Sequence, residues 1–576
     1  MQRRTRTLSS ALASATALVL LVPPAAAIAA PDSDDEARGT VAATPTDSTT
    51  GTAPATDPAD KISRAAEQTF AARGTTDFWL RFDEEPDLEA AEGITVWSER
   101  GRYVYDALTA AAEKAQAGTI AELEKAGAEY TSYWAANAIL VEDGTFDQAV
   151  ELAADGDVVE VRPTVRYSVP EPVKVPHAAD VAAAEADGLT TWGIGAINAD
   201  DMWAEGFTGD GVVVANLDSG VAPHSALSEK YRGAGASNPN AYNYFSADGL
   251  YYPHDTNEVS HGTHTMGTMV GGTVVREGVE RAVGVAPGAQ WIAAGVGDDL
   301  SDENLVAAAQ WILAPYDQAS SEPTPDPDRR PHVVNNSWGA EFSTDPFMEN
   351  VITAWEAAGI FSTFSNGNAG EAGCTSAGSP ASRLVNYGVG AYDMDGVIAP
   401  FSSRGPGQSG TVKPDIAAPG VHVLSTTRTG TAYLNGTSMA APHVAGAVAL
   451  LWDAVPGLVG DVPATRAILD ASAHDENDTS CGGTADDNNV WGEGRLDVLA
   501  AYRLTQDEEE FEATPAPVIS GDDYRTPFPG SSATCRRPGR SSMPPPMTRT
   551  TRAAAARPTT TTSGARAGST SWPRTG

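Results

Sequence analysis

Three short blocks of this chain carry residues that together can activate a hydroxyl for nucleophilic attack. Asp218-Ser219-Gly220 directly follows the apolar run at 212–217. A carboxylate placed there can orient an imidazole and stabilise its charged form. His261-Gly262-Thr263-His264-Thr265-Met266-Gly267 comes about forty residues later. Two histidines three apart suggest metal ligands, but no Glu accompanies them as in H-E-x-x-H. The Gly and Thr residues fit a tight helix start that turns His261 to a cleft and leaves His264 structural. The third block, Gly436-Thr437-Ser438-Met439-Ala440-Ala441-Pro442-His443-Val444-Ala445-Gly446, puts Ser438 at a helix N-terminus, with Pro442 expected in the first turn. Free N–H groups and the positive end of the helix dipole there would stabilise an oxyanion. Taken singly, Asp218 reads as a turn residue and Ser438 as a helix cap.

The elements that must position these blocks read as a parallel sheet with helices on both faces. Short apolar runs at 212–217, 291–296, 332–335 and 360–364 alternate with helical stretches at 305–313, 348–358 and 439–454. In such sheets the chemistry gathers at the carboxyl ends of the strands. This large domain spans 190–504. Ahead of it, strand patterns at 78–82, 133–141 and 158–167 alternate with helical ones at 99–126 and 146–154. They predict a small α+β, ferredoxin-like domain within 61–170.

In the order Asp, His, Ser, the three blocks resemble the subtilisin-like serine proteases, the subtilases; the order separates them from chymotrypsin-like and α/β-hydrolase enzymes. The likeness covers about 190–500 and rests on Gly436–Gly446, on His261–Gly267 and on Leu217-Asp218-Ser219-Gly220-Val221, where Ser219 stands in place of the Thr of many members. It implies a subtilisin-like fold and peptide-bond hydrolysis through Asp218, His261 and Ser438, with an acyl-enzyme intermediate. It also implies an oxyanion amide from Asn368 in Ser365-Asn366-Gly367-Asn368, although Asn366 departs from the small residue common there. Ser337, Trp338 and Gly339 match the strand that pairs with substrate backbone. Together with the Cys374 and Cys481 positions, Asn336 to Trp338 makes the chain similar to bacillopeptidase F-like subtilases. The ferredoxin-like unit would be a propeptide that inhibits the enzyme until it is cut within the 171–189 linker. No cofactor is implied for the chemistry and no metal ligands are assigned. Structural calcium is left open, Asp486-Asp487-Asn488-Asn489 being the suggestive run. The expected partners are protein or peptide substrates and the chain's own propeptide, with a monomeric enzyme and a default preference for apolar or aromatic residues. A triad-bearing fold used only as a binding scaffold is the rival reading.

Composition bounds the setting. The chain has 576 residues, with 76 acidic against 37 basic ones and a formal net charge of -39. Such acidity argues against nucleic-acid binding, which needs clustered Lys and Arg. Arg3, Arg4 and Arg6, the apolar stretch 11–22 and Ala27-Ile28-Ala29 read as a secretory signal peptide over 1–30. The apolar stretch is shorter than the roughly 20 residues of a membrane span. An extracellular enzyme with no membrane partner is therefore expected. Residues 31–60 read as a disordered spacer. Of three cysteines, Cys374 and Cys481 share the large domain and are expected to pair, two free thiols being the alternative. Cys535 is then left over. From 505 an acidic, Pro-rich linker leads to a tail that carries eight Arg and no acidic residue from Cys535 onward. That vocabulary suggests a shifted reading frame, the alternative being a genuine basic tail.

Overall fold

The computed structural model describes residues 57–83, 86–169, 189–298, 300–343 and 345–506. The expected signal peptide, most of the expected spacer, the expected 171–189 linker up to 188 and the tail from 507 lie outside them. Within the expected spacer, residues 57–60 are already ordered, in the short 3-10 turn Pro58–Lys61. None of the helices among the described residues is long and apolar enough to cross a membrane.

The amino-terminal unit begins with a helix, Arg64–Arg73, capped by the Ser63 hydroxyl on the Ala66 N–H. Strand β1 (Thr75–Phe82) is followed by the long helix Trp97–Ala126. Strands β2 (Tyr130–Tyr133) and β3 (Ala138–Thr145) come next, then the helix Phe146–Ala153 and strand β4 (Val158–Pro163). The single strand expected at 133–141 is in fact the turn of the β2–β3 hairpin and its flanks, with Asn137 at φ 43°. An apolar Trp134-Ala135-Ala136 run hides that turn, and Asn tolerates the left-handed conformation. The strand expected at 158–167 stops at Pro163, which cannot donate a ladder hydrogen bond. The sheet is antiparallel in the order β2-β3-β1-β4, the arrangement of a β-α-β-β-α-β unit. One face carries Phe78, Leu80 and Phe82 against Ala115, Leu123 and Leu152 of the two later helices.

The large domain is built on seven strands in the order β13-β12-β11-β10-β5-β9-β6, parallel throughout. They are β5 (Val213–Asp218), β6 (Tyr244–Ser246), β9 (Gln290–Gly295), β10 (Val333–Asn336), β11 (Phe361–Ser365), β12 (Tyr387–Tyr392) and β13 (Ile416–Pro419). Two hairpins accompany the sheet: β7 (Thr273–Arg276) with β8 (Val279–Ala282), and β14 (Val423–Thr427) with β15 (Gly430–Leu434). Along β5, Val214 faces the core of the helix Thr437–Ala454, whereas Val213, Ala215 and Leu217 face the helices Asp302–Leu313 and Glu349–Ala357. Both faces are therefore dry, which is why these strands read as continuous apolar runs. Thr437–Ala454 is apolar all round because every residue from Thr437 to Trp452 is buried.

Candidate active site

The adjacent strands β11, β10 and β5 each release a functional loop at their carboxyl ends. β5 ends on Asp218, β10 runs into Ser337, and β11 runs into Asn366-Gly367-Asn368. His261 opens the helix His261–Val270, and Ser438 is the second residue of Thr437–Ala454. Gly262 lets the histidine helix close on β5, since a Cβ there would sit 2.2 Å from the Gly220 carbonyl oxygen and 3.1 Å from Asp218 Cβ.

Asp218 and His261 are buried and joined, Nδ1 to Oδ1, at 2.7 Å. The other oxygen of Asp218 accepts from Thr265 Oγ1 at 3.4 Å, and the Ser219 N–H donates to Oδ1 at 2.7 Å. His261 Nε2 is enclosed without a hydrogen-bond partner. The Ser438 hydroxyl lies 3.4 Å from the Ser337 carbonyl oxygen, to which it donates, so this rotamer does not engage the imidazole. Pro442 falls in the helix interior instead of the first turn. Lacking an N–H, it leaves the Ser438 carbonyl without its i+4 donor. The Ser337 hydroxyl takes that place at 3.0 Å.

Asn368 is held by its carbonyl end, which accepts from the Thr437 N–H at 3.0 Å and from Thr437 Oγ1 at 2.9 Å. Its Nδ2 and the Ser438 N–H flank one small space. A Cβ built on Gly436 would lie 3.3 Å from the first and 3.6 Å from Ser438 N. Gly436 has φ 154°, outside the range of ordinary side chains. Both N–H donors lie within 4 Å of that one point, and a pair of donors so close together is what an oxyanion hole requires. Asn366 is committed elsewhere, its Nδ2 donating to the Ser403 carbonyl at 2.7 Å.

Sequence reading missed the polar ladder beneath the site. Thr363 Oγ1 donates to Asn335, whose Nδ2 reaches Ser337 Oγ and Asn216 Oδ1, each at 3.0 Å. Asn216 in turn donates to the Gly262 carbonyl at 3.0 Å and to Thr265 Oγ1 at 2.8 Å. The signal was there, as amide side chains inside otherwise apolar strands. His264 does not join His261. Its Nε2 bonds the Val423 and Ala432 carbonyls at 3.1 Å, and burial pushes its pKa down to about 3. Its Nε2 hydrogen is thus shared between two carbonyls of the β14–β15 hairpin, which ties the histidine helix to that hairpin.

Gly339 exchanges backbone hydrogen bonds with Ser168 at 2.9 and 3.0 Å, and the Tyr167 N–H donates to the Leu300 carbonyl at 2.9 Å. Residues 167–168 thus lie as an added strand between 300 and 339. Tyr167 packs edge-on to the buried Trp338, ring centroids 5.6 Å apart. Cys374 and Cys481 form a disulfide with Cα atoms 5.3 Å apart. Asn488 and Asn489 spend their amides on the Glu476 and Cys481 carbonyls and on nearby N–H groups. No group of three His, Cys, Asp or Glu side chains among the described residues is placed to hold a metal ion.

Comparison with known proteins agrees with this architecture. Residues 209–494 match the model of the subtilase family. Bacillopeptidase F of Bacillus subtilis strain 168 is 32% identical over 507 residues, 81% of this chain but 34% of that protein, so the chain spans about a third of its length. Subtilisin Savinase of Lederbergia lenta is 31% identical over 54% of this chain and 98% of its own. The crystal structure of fervidolysin from Fervidobacterium pennivorans superposes with a TM-score of 0.51 at 20% identity, covering 74% of this chain and 61% of that one; the likeness concerns the fold. On the family match and on the subtilisin aligned almost end to end, the chain belongs to the subtilase family of serine peptidases.

Proposed function

We propose that the chain is a secreted serine endopeptidase, made as a zymogen, with Asp218, His261 and Ser438 as its triad. The observation that carries this reading is the buried Asp218–His261 bond of 2.7 Å, with His261 Nε2 left without a partner. In the reaction Ser438 Oγ turns from the Ser337 carbonyl to His261 Nε2, which takes its proton as Oγ attacks the substrate carbonyl. Asp218 holds the tautomer that keeps Nε2 free to accept. The Asn368 amide and the Ser438 N–H receive the oxyanion, and His261 then protonates the leaving amine. Water releases the acyl-enzyme by the same steps.

The amino-terminal unit acts as the inhibitor in this reading. In support, Ser168 pairs with Gly339 in the manner expected of an extended substrate, and Tyr167 fills the space beside Trp338. Ser337 holds the Ser438 carbonyl, so the Ser337–Gly339 segment both fixes the nucleophile and binds backbone. Proteins or peptides are the substrates, apolar or aromatic residues being the default preference, and a monomer is sufficient for the chemistry.

Expression of the wild type and Ser438→Ala tests this. The wild type should shed its amino-terminal unit and label with a fluorophosphonate, and the variant should remain full-length and unlabelled. Processing that persists in the variant and stops on adding a chelator would refute the triad.

A further inference from the structure

Behind the triad lies a second carboxylate that no step above uses. Asp255 is buried on the loop leading to His261. Its Oδ1 accepts from Ser219 Oγ at 3.0 Å and from the Asn257 N–H at 3.1 Å. Its Oδ2 accepts from the Thr263 N–H at 3.0 Å and from Thr263 Oγ1 at 2.5 Å. Four donors on two oxygens leave no need for a carboxyl proton, so the group is a charged acceptor.

Each donor is itself tied to the triad. Ser219 follows Asp218, and its Oγ also accepts the Gly262 N–H at 2.9 Å. Asn257 Oδ1 accepts the His261 N–H at 3.3 Å. Thr263 lies in the first turn of the His261 helix, and its Oγ1 also accepts the Ala222 N–H at 3.0 Å. The backbone before the histidine, the backbone after it and the residue following the aspartate all converge on one anion. We propose that Asp255 is a positioning residue for the subtilase reaction, fixing the His261–Asp218 geometry through Ser219, Asn257 and Thr263 and supporting the imidazolium with a second negative charge.

The proposal rests on the triad reading above. The charged and titratable groups around this centre are Asp218 on β5, His261 and His264 on their helix, Tyr244 and His254 beside Gly220, Asp248 paired with His254, Asp298, which accepts from Asn257 Nδ2 at 2.9 Å, and Arg428, whose guanidinium donates to the Asp255 backbone carbonyl at 2.6 Å. Burial raises the Asp255 pKa, Thr263 opposes the rise, and the neighbouring Asp218 adds to it. That last contribution places the two carboxylates within electrostatic reach of each other. Removing the Asp255 charge therefore destabilises the imidazolium, and the acid limb of kcat/KM should move to lower pH.

The test compares Asp255→Asn, Ser219→Thr and Ser219→Val, each counted by fluorophosphonate-labelled sites so that unfolded protein drops out. Labelling of the wild type checks the underlying reading separately. We expect Asp255→Asn to lose about tenfold or more in kcat per labelled site with KM little changed, and its acid limb to shift downward by several tenths of a pH unit. Ser219→Thr keeps the hydroxyl and should retain clearly more kcat than Ser219→Val, which is close to Thr in volume but lacks the hydroxyl and should share the kcat loss. If Asp255→Asn does not fold, the Ser219 pair decides. Wild-type kcat in Ser219→Val, or an unmoved acid limb in a folded Asp255→Asn, would overturn the proposal.

Discussion

Asn368 uses the two ends of its amide differently, and this division is what separates it from Asn366. Its oxygen is clamped by Thr437, so Nδ2 must point away from the clamp, beside the Ser438 N–H. Asn366 is buried with Nδ2 bound to the Ser403 carbonyl, a role in the fold. Asn368→Ala should lower kcat by about 10²–10³ with little change in KM, measured on a chromogenic peptide. Asn366→Ala should instead cost stability, roughly 1–3 kcal/mol, seen in denaturant unfolding. Motif alignment indicated Asn368, but only the Thr437 clamp gives that choice a physical reason. Asp255 shows the opposite case. Asn257 and Thr263 lie on its own stretch of chain, but Ser219, which ties it to Asp218, is 36 residues away, so the local sequence alone does not signal the role.

At the scale of elements, the helix Thr437–Ala454 and the loop after β11 supply Ser438 and Asn368 to the candidate site. Strong apolar patterns made that helix and β5, β9, β10 and β11 legible. The strands β12 and β13 were not legible, because Gly388, Gly390 and Pro419 weaken their β signal and only their neighbours in the sheet hold them extended. The Cys374–Cys481 bridge ties the stretch just beyond Asn368 to a loop 107 residues away. Closing so long a loop restricts the unfolded chain, and native bridges of this kind contribute on the order of 2–4 kcal/mol. The double substitution Cys374→Ser and Cys481→Ser should lower the unfolding free energy by about that amount. Urea unfolding of the Ser438→Ala background measures it without self-digestion.

At the scale of the whole molecule, the face of the amino-terminal sheet opposite its own helices packs on the helices Asp302–Leu313 and Glu349–Ala357 through Trp79, Leu140 and Tyr133. Asp302 lies in that interface. It accepts from Trp79 Nε1 at 3.0 Å and from the Val165 N–H at 2.7 Å. Nearby, Arg162 forms a two-pronged pair with Asp345 at 2.9 and 2.7 Å. On the far side, Arg100 donates to the Glu356, Ala357 and Gly460 carbonyls, and Arg330 stacks on Trp97 at 3.7 Å. Burial raises the Asp302 pKa to about 6 in the docked arrangement, the bonds from Val165 and Trp79 and the Arg162 charge opposing it. Undocked, it would return toward the ordinary value near 4. A raised carboxylate favours docking most below that ordinary value, and its contribution fades as pH climbs through 6. Docking should therefore loosen between about pH 4 and 6 and change little above that. Hydrogen exchange at the Tyr167 and Ser168 amides of Ser438→Ala, corrected for intrinsic rates, should show falling protection over that range, and Asp302→Asn should flatten the trend.

The sequence by itself determined the order of the three chemical blocks and the glycine settings that allow close approach. It also determined the apolar runs that must become buried parallel strands. These are local properties, set by side-chain type and backbone freedom. Tertiary structure alone decided which polar groups meet: Asn216 with Asn335, Asp255 with Ser219, Asp302 with Trp79, and the Ser337 hydroxyl with the Ser438 carbonyl freed by Pro442. Hydrogen bonds need donor and acceptor within about 3 Å, and chain segments far apart in sequence reach that distance only when the sheet order brings them together.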